Sequence, residues 1–406
     1  MLEVVTVARA LEIIKENIVP KIEVARMPFL DAINGVLGED IKALGPLPAF
    51  NRSAMDGYAV KARDTFGASE SMPALLSLAG EVPMGQPAGF SLESGQAAAV
   101  ATGAMLPEGS DAVSMVEYTE KLDSQTLAVY RPVGPGENVL HRGDDMGEGQ
   151  VLCRKGERLT PRHVALLAAQ GIPEVPLVKP PLVGIISTGN ELVGLEEEPR
   201  AGEIRDVNSY ALASLALQAG ARPRLYGIVR DDAGSLKEAL SRGIQETPLV
   251  LISGGSSVGA ADYTAEVINS LGSPGIIFHG VSMRPGKPTM FGILGDTPVF
   301  GLSGNPASAM VTFRLLVEPA LHHRFGLTPE PKIYVPARLT RSLASAQGRE
   351  DYIRVHLQKR EGSLWAEPLF GPAGFLSPLA RARGLVKIGQ NSEGLKEGEE
   401  IEVELL

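Results

Sequence analysis

Three stretches of this 406-residue chain end an apolar run in serine and then turn on glycine. Leu182 to Ser187 leads into Thr188-Gly189-Asn190-Glu191. Leu249 to Ser253 leads into Gly254-Gly255-Ser256-Ser257-Val258-Gly259, and Val299 to Ser303 into Gly304-Asn305-Pro306. If these runs are parallel strands, a ligand binds beyond their carboxyl ends. Glycines let backbone N–H groups approach an anion, and the helix N-termini that follow add partial positive charge. One such turn alone is weak evidence. Three at one sheet edge point to phosphate or pyrophosphate, with Ser187, Thr188, Gly254, Gly255, Ser256, Ser257, Ser303, Asn305 and Pro306 as its contacts. Asn305 is placed to cap a helix starting at Pro306. The second turn lacks the Lys-Ser/Thr ending of a P-loop. It is also not the dinucleotide fingerprint of a first strand-helix unit.

Acids follow the same kind of run: Glu191, then Asp231 and Asp232 after the RLYGIVR stretch, then Asp262. A lone surface carboxylate is ordinarily just solvated. Carboxylates gathered beside a phosphate suit a hard cation, and Mg²⁺ is bound by a few of them together with phosphate oxygens and water. Glu191, Asp231 and Asp262 are therefore the metal candidates. Arg284-Pro285-Gly286-Lys287-Pro288 supplies fixed positive charge on a restricted turn, which suits an oxyanion. An ordinary turn with solvated bases is the competing reading.

These groups need a scaffold. From 179 to 326, apolar strand-like runs alternate with helical ones, the pattern of a mostly parallel sheet covered on both faces. The helices are expected at Asn208 to Gln218, Ala233 to Ile244, around Ala265 to Leu271, and Pro306 to His323. Residues 1–48 open with an amphipathic helix marked by Val7, Leu11, Ile14 and Ile18. Residues 141–178 hold another, with Thr160 as its cap, Pro161 first and Gly171 past its end. These two helices are expected to pack side by side as a helical region. Residues 49–140, with runs such as Leu75 to Leu78, Ala97 to Ala101 and Thr126 to Tyr130, would then be an inserted β module. Residues 327–406 read as a small β-barrel. The fold class is thus multidomain α/β and β, with a central three-layer α/β/α domain at 179–326.

Composition narrows the function. A net charge of −10 argues against nucleic acid, whose binding needs a basic face. No apolar run reaches the roughly 20 residues of a membrane span. The start does not read as a signal peptide. The single cysteine, Cys153, cannot form an intrachain disulfide and suits a reducing, cytoplasmic compartment. The scattered histidines have no zinc spacing.

Asn51 to Val60 (NRSAMDGYAV), Thr102 to Gly109 (TGAMLPEG), Arg142 to Asp145 (RGDD), Ser187 to Leu192 (STGNEL), Gly254 to Tyr263 (GGSSVGAADY), Arg284 to Pro288 (RPGKP) and Leu302 to Pro306 (LSGNP) occur in this order. By composition alone the first three are only turns. Together the seven resemble the molybdopterin molybdotransferase family, which includes the C-terminal domain of gephyrin. The likeness spans nearly the whole chain and is looser over the last eighty or so residues.

The resemblance implies an elongated homodimer. Its cleft would lie between the β module of one subunit and the α/β and C-terminal domains of the other. It implies that molybdate and adenylylated molybdopterin are converted to molybdenum cofactor, AMP and water, with Mg²⁺. Other proteins of cofactor biosynthesis are further expected partners. Carried over by position, Asp56 and Thr102 contribute catalytic groups from the β module, with Asp145 nearby. Glu191, Asp231 and Asp262 form the acidic catalytic group. Arg284, Lys287 and Pro288 form the molybdate turn, and Arg354 matches an oxyanion-binding arginine. This chain has Gly280 where the family often has lysine, Ser303 where it usually has proline, and Ala373 where a serine is expected. Two other readings are a non-catalytic dimeric scaffold of the same fold, and a pterin or nucleotide adenylyltransferase or pyrophosphate hydrolase.

Overall fold

The computed structural model describes residues 4–254, 258–329, 331–360 and 362–406, with residues 258–262 described by backbone only. Helix α1 (Val7–Asn17) is capped by the Thr6 side chain, which accepts from Arg9 N. Its apolar face (Val7, Ala10, Ile14) is buried, as the helical spacing requires. It packs against the helical segment at 313–325, through a core that includes Leu316, Val317, Ala320 and Leu321. Helix α2 (Pro161–Ala169) has the expected Thr160 cap, reinforced by His163, and Gly171 follows it at positive φ. The core of α2, with Ala32, Leu159, Leu167 and Leu177, is a different one. The expectation that the two helices lie side by side is therefore corrected. The apolar stripe of α1 fixes that it packs, but its partner is decided by the loops between.

Residues around α2 form short antiparallel ladders, Val24–Pro28 with Glu174–Val178 and Ile41–Lys42 with Val151–Cys153. The chain leaves this layer at Leu47 and returns at Met146, and the two are bridged. Between them lies a six-stranded sheet in the order 112–115, 57–60, 96–100, 74–82, 126–129, 119–121. Its two faces carry separate small cores, one around Ala98 and Val113 and one around Ala97 and Leu127. That alternation is the mark of a sheet buried on both sides.

The central sheet has strands β1 (Leu182–Thr188), β2 (Arg222–Val229), β3 (Val250–Gly254), β4 (Pro274–His279), β5 (Met290–Leu294) and β6 (Thr297–Leu302). Their order is β2-β1-β3-β6-β5-β4. The first four in that order are parallel, and β5 is antiparallel to both neighbours. Helices α3 (Asn208–Gln218), α4 (Ala233–Glu246), α5 (Val258–Leu271) and α6 (Pro306–Thr312) cover it. One core holds Leu212 of α3 with Ile185 and Leu251; the other holds Leu236 and Leu240 of α4 with Ile186 and Ile252. These are the two faces of a three-layer sandwich. Strands β4 and β5 escape the sequence reading because the RPGKP turn interrupts their apolar pattern. The expected helix from Pro306 to His323 is continuous but contains a π-turn at Phe313–Val317. Pro319 lacks the N–H that would bond back four residues, which suits the local widening there.

The last region is a closed five-stranded barrel of 350–360, 363–368, 334–339, 400–405 and 384–388, sealed by pairing of 351–355 with 384–388. Residues Met283 and Arg284 join its edge beside Glu350 and Asp351. Among the described residues no helix is long and apolar enough to cross a membrane.

A cavity of about 1330 Å³ opens at the amino ends of the central strands, lined in part by Asn34, Arg158, Gly220, Arg314 and His322. Nε2 of His322 is buried without a partner. Burial, with Arg158 adding to it, pushes the His322 pKa down to about 4. An unfolded histidine takes up its proton near pH 6.5, whereas the folded one refuses it until about 4. Stability conferred by the neutral ring is thus complete above 6.5 and declines as pH falls through that window. His322→Gln should reduce the loss of stability between pH 7 and pH 5 by about 1 kcal/mol, after discounting for partial solvent access. Urea midpoints of both proteins at the two pH values would show it. An unchanged difference would place the acid sensitivity elsewhere.

Candidate functional site

The register of the parallel strands brings the sequence-selected turns together. Thr188 lies opposite both Val229 and Gly254, and Ser253 opposite Leu302. The carboxyl ends of β2, β1, β3 and β6 therefore form one edge, and the large cavity lies at the other. At this edge Ser187, Thr188, Ser253 and Ser303 are all buried. Gly254 has φ +116°, and a Cβ there would lie 2.0 Å from the Thr188 carbonyl oxygen. At Gly304 an added Cβ would meet the Gly254 Cα at 3.5 Å, an ordinary contact. Glycine is required at position 254, where neighbouring backbones touch.

Asp231, just past β2, organises this edge. Its Oδ1 accepts from the Thr188 hydroxyl at 2.7 Å and from the Tyr263 phenol at 2.9 Å. Its Oδ2 accepts from Asn190 N at 3.3 Å. Burial raises the Tyr263 pKa, with the Asp231 charge adding to it, so the phenol stays a donor. Asp232 instead caps α4, accepting from Ser235 N at 2.8 Å. Hydrogen bonds from Ser235 hold its carboxyl below the usual range. Glu191 is exposed beside the turn. Asn305 holds the cap position of α6, but its side chain makes no capping bond, which corrects the expected role. Asn305 N bonds to Ser303 Oγ at 3.3 Å, a contact that a proline at 303 would lack. Gly255, Ser256 and Ser257 lie outside the described residues. So does the side chain of Asp262, whose backbone is in α5. Among the described residues no three acids, histidines or cysteines cluster in a metal-holding arrangement.

The basic groups come from two sides. The Arg284 to Pro288 turn is closed by Val281 N bonding to Lys287 O and by the Thr289 hydroxyl bonding to Gly286 O. Arg284 and Lys287 are exposed, and Pro288 is partly buried. Gly280, at φ +107°, is bonded through its carbonyl to Val5 N and crowded by Val4. A lysine there would be strained.

Arg354 lies on the barrel strand that pairs with Met283 and Arg284. It is only 8% exposed, its Nη1 is buried with no partner among the described residues, and burial lowers its pKa. Leu369 N bonds to Arg354 O at 2.9 Å, and Ala307 N bonds to Ala373 O at 3.1 Å. The loop between them thereby joins Arg354 to the start of α6.

A second cluster forms in the β module. Gly57 lies opposite Val100 and Met115, and a Cβ on it would lie 2.0 Å from the Ser114 carbonyl oxygen. Asp56 and Thr102 therefore flank one strand end. Asp56 Oδ1 accepts from Thr102 N at 2.7 Å and from its hydroxyl at 3.0 Å. The backbone N–H and then the hydroxyl hold the Asp56 carboxyl below the usual range. An exposed carboxylate so held is an acceptor near neutral pH, not an acid. The third turn arrives through Arg142 N, bonded to Asn51 Oδ1 at 2.8 Å, while Asp145 is exposed. No hydrogen bond between described residues joins this cluster to the central strand ends.

Sequence reading overlooked the polar residues opening α3. Asn208 donates to Ser253 Oγ at 2.7 Å and to Gly304 O at 2.8 Å. Ser209 meets Ser187 Oγ at 2.9 Å, and Asp206 accepts from Ser209 N at 3.0 Å. The available signal was Asp206-Val207-Asn208-Ser209, a polar cluster just ahead of an apolar helix.

A three-layer domain with a glycine-lined edge at its strand ends, joined to a barrel and an inserted β module, defines a class of multidomain α/β protein. Family models match in the same order: the MoeA N-terminal region (domain I and II) over residues 5–171, a probable molybdopterin binding domain over 184–323, and the MoeA C-terminal region (domain IV) over 336–406. A putative molybdopterin biosynthesis protein of Methanocaldococcus jannaschii is 39% identical, covering 95% of this chain and 92% of that one. The molybdopterin molybdenumtransferase of Bacillus subtilis is 33% identical over 93% and 88%. A MoeA protein from Pyrococcus horikoshii has a crystal structure that matches with a TM-score of 0.86 at 34% identity, covering 100% of both chains. The chain belongs to the molybdopterin molybdenumtransferase (MoeA) family, enzymes of molybdenum-cofactor biosynthesis.

Proposed function

We propose that this enzyme inserts molybdate into adenylylated molybdopterin, yielding molybdenum cofactor, AMP and water. The observation that carries the reading is the buried, unpartnered Nη1 of Arg354, tied through one loop to the phosphate-type strand-end turns. A buried cation without a counter-ion is costly unless an anion arrives. A tetrahedral oxyanion supplies that charge, with Arg284, Lys287 and Pro288 forming the opposite wall. The strand-end groups Ser187, Thr188, Gly254, Gly255, Ser256, Ser257, Ser303, Asn305 and Pro306 hold the phosphates. Mg²⁺ fits the hard donors present: Glu191 is exposed, and Oδ2 of Asp231 carries one long bond and keeps a free lone pair. With Asp262, these would hold the ion against phosphate oxygens, where it would neutralise charge on the leaving group. Tyr263 and Thr188 orient Asp231 by donating to it.

The Asp56–Thr102 cluster is built apart from the strand ends within one chain. We therefore place it in the cleft of a homodimer, donated by the partner. The same reading divides the chain into 1–48 with 141–178, then 49–140, 179–326 and 327–406, working in the cytoplasm. The test supplies the protein with adenylylated molybdopterin, Mg²⁺ and molybdate and follows AMP. Release should depend on molybdate and come from a species sedimenting as a dimer. AMP released at the same rate without molybdate favours a pyrophosphate hydrolase, and no release at all favours a scaffold.

A further inference from the structure

The Arg284 to Pro288 turn is entered along a short parallel ladder with barrel strand 350–360. Met283 lies opposite Glu350 and Arg284 opposite Asp351, and Glu350 N bonds to Ser282 O at 2.9 Å. The first cation of the turn therefore starts beside two acids. Asp351 is 0% exposed. Neighbouring strands run roughly 5 Å apart, a gap that an arginine side chain spans. Left unpaired, a desolvated carboxylate at 351 would draw the Arg284 guanidinium onto itself, because an isolated buried charge is costly.

Each acid instead has a cation of its own. Glu350 takes the Lys387 ammonium at 2.8 Å and also accepts from the Tyr352 phenol. Asp351 takes both arms of Arg349, Nε to Oδ1 at 2.8 Å and Nη2 to Oδ2 at 3.3 Å. This forked pairing occupies both carboxylate oxygens at once, as only a guanidinium can. Arg284 is left exposed, with no ion pair among the described residues. In an acidic chain, a cation next to two carboxylates stays unclaimed because both are already neutralised.

We propose that Arg349 is a positioning residue for the oxyanion turn: by holding Asp351 it keeps Arg284 free for an incoming anion. This rests on the oxyanion reading of that turn. Arg349 acts through Arg284, and its own guanidinium stays on Asp351. Removing Arg349 releases a buried carboxylate that competes with the anion for Arg284. Removing the carboxylate as well ends the competition.

The experiment follows AMP release by the full-length protein against molybdate concentration, with melting temperatures alongside. Arg284→Ala and Arg349→Ala should each raise the molybdate requirement by about tenfold, the loss of one hydrogen bond to a charged group, with little change in maximal rate. Arg349→Ala combined with Asp351→Asn should return it to within about twofold of wild type, the non-additivity expected of a coupled pair. Asp351→Asn alone should not raise it. Should Arg349→Ala not fold, Arg349→Gln, which keeps a donor for the carboxylate but not the charge, takes its place. If Arg284→Ala leaves the requirement unchanged, the oxyanion reading of the turn falls and this inference falls with it. If Arg284→Ala raises it and the Arg349 variant does not, the inference alone is overturned. The same holds if Asp351→Asn raises it, or if the double variant stays as impaired as Arg349→Ala, because a direct contact or a purely structural role would not be rescued by removing the acid.

Discussion

Arg354→Ala should raise the molybdate concentration needed for AMP release by about tenfold to a hundredfold, the range expected for losing hydrogen bonds to a charged group. Binding of the pterin substrate should change little. The chain is acidic overall, so long-range attraction of a dianion is poor and capture depends on local cations. Arg284 and Lys287 are exposed and solvated, and their pull is screened. Arg354 is buried, unpaired at Nη1 and already desolvated. The cost of stripping its water is met on folding, so an arriving anion gains more of its Coulomb energy. Arg354→Lys keeps the charge but not the planar fork, and should recover only part of the loss. Molybdate titrations of the three proteins, beside direct pterin binding and melting curves, make the check. Unchanged molybdate dependence in the alanine variant would remove Arg354 from the oxyanion site. A collapse of pterin affinity would give it a different role.

Gly254→Ala should abolish molybdate-dependent AMP release and destabilise the α/β domain by about 2–4 kcal/mol, combining backbone strain with forced displacement. Alanine at φ +116° is strained, and its Cβ would lie 2.0 Å from the Thr188 carbonyl oxygen. The oxygen is backbone and the Cβ is fixed rigidly to backbone, so neither can move without opening the ladder between β1 and β3. The edge would lose the shape on which Asp231, Thr188 and the glycine turn converge. Gly149→Ala is the matched control. Its φ is +77°, yet nothing lies within 4 Å of the added carbon. It should cost about 1 kcal/mol from the backbone alone and leave turnover intact. Melting temperature and AMP release for the pair decide between them: an active, stable Gly254→Ala protein would show that the close approach of the strand ends is dispensable.

Much of the α/β region was legible in the residues. Four strands and the bounds of α3 follow from apolar runs and capping signals, because a strand buried on both faces has to be continuously apolar. Gly254 announced itself by type, since the close approach of the Thr188 backbone leaves no room for a Cβ there. The antiparallel pair β4 and β5 was not legible, because the Arg284 to Pro288 segment between them breaks the apolar pattern from which a strand pair is read. Asn208 was read only as a helix start. A buried amide and a solvated one look alike until its acceptors, Ser253 and Gly304, are seen 45 and 96 residues away.

The sequence by itself determined which side chains are available: the glycine turns, the acids after strands, the RPGKP bases, and seven ordered motifs that mark the family. Those depend on residue type and local spacing, which the chain carries without folding. The tertiary structure decided which of them meet. It set Asp231 between Thr188 and Tyr263 and separated Asp232 as a helix cap. It sent α1 onto the α/β core and away from α2. It buried Arg354 with its Nη1 unpartnered among the described residues, while leaving Arg284 and Lys287 in solvent. The physical reason is that burial and pairing are properties of neighbours distant in sequence. Strand register and the packing of faces choose those neighbours, and neither is written in any one segment.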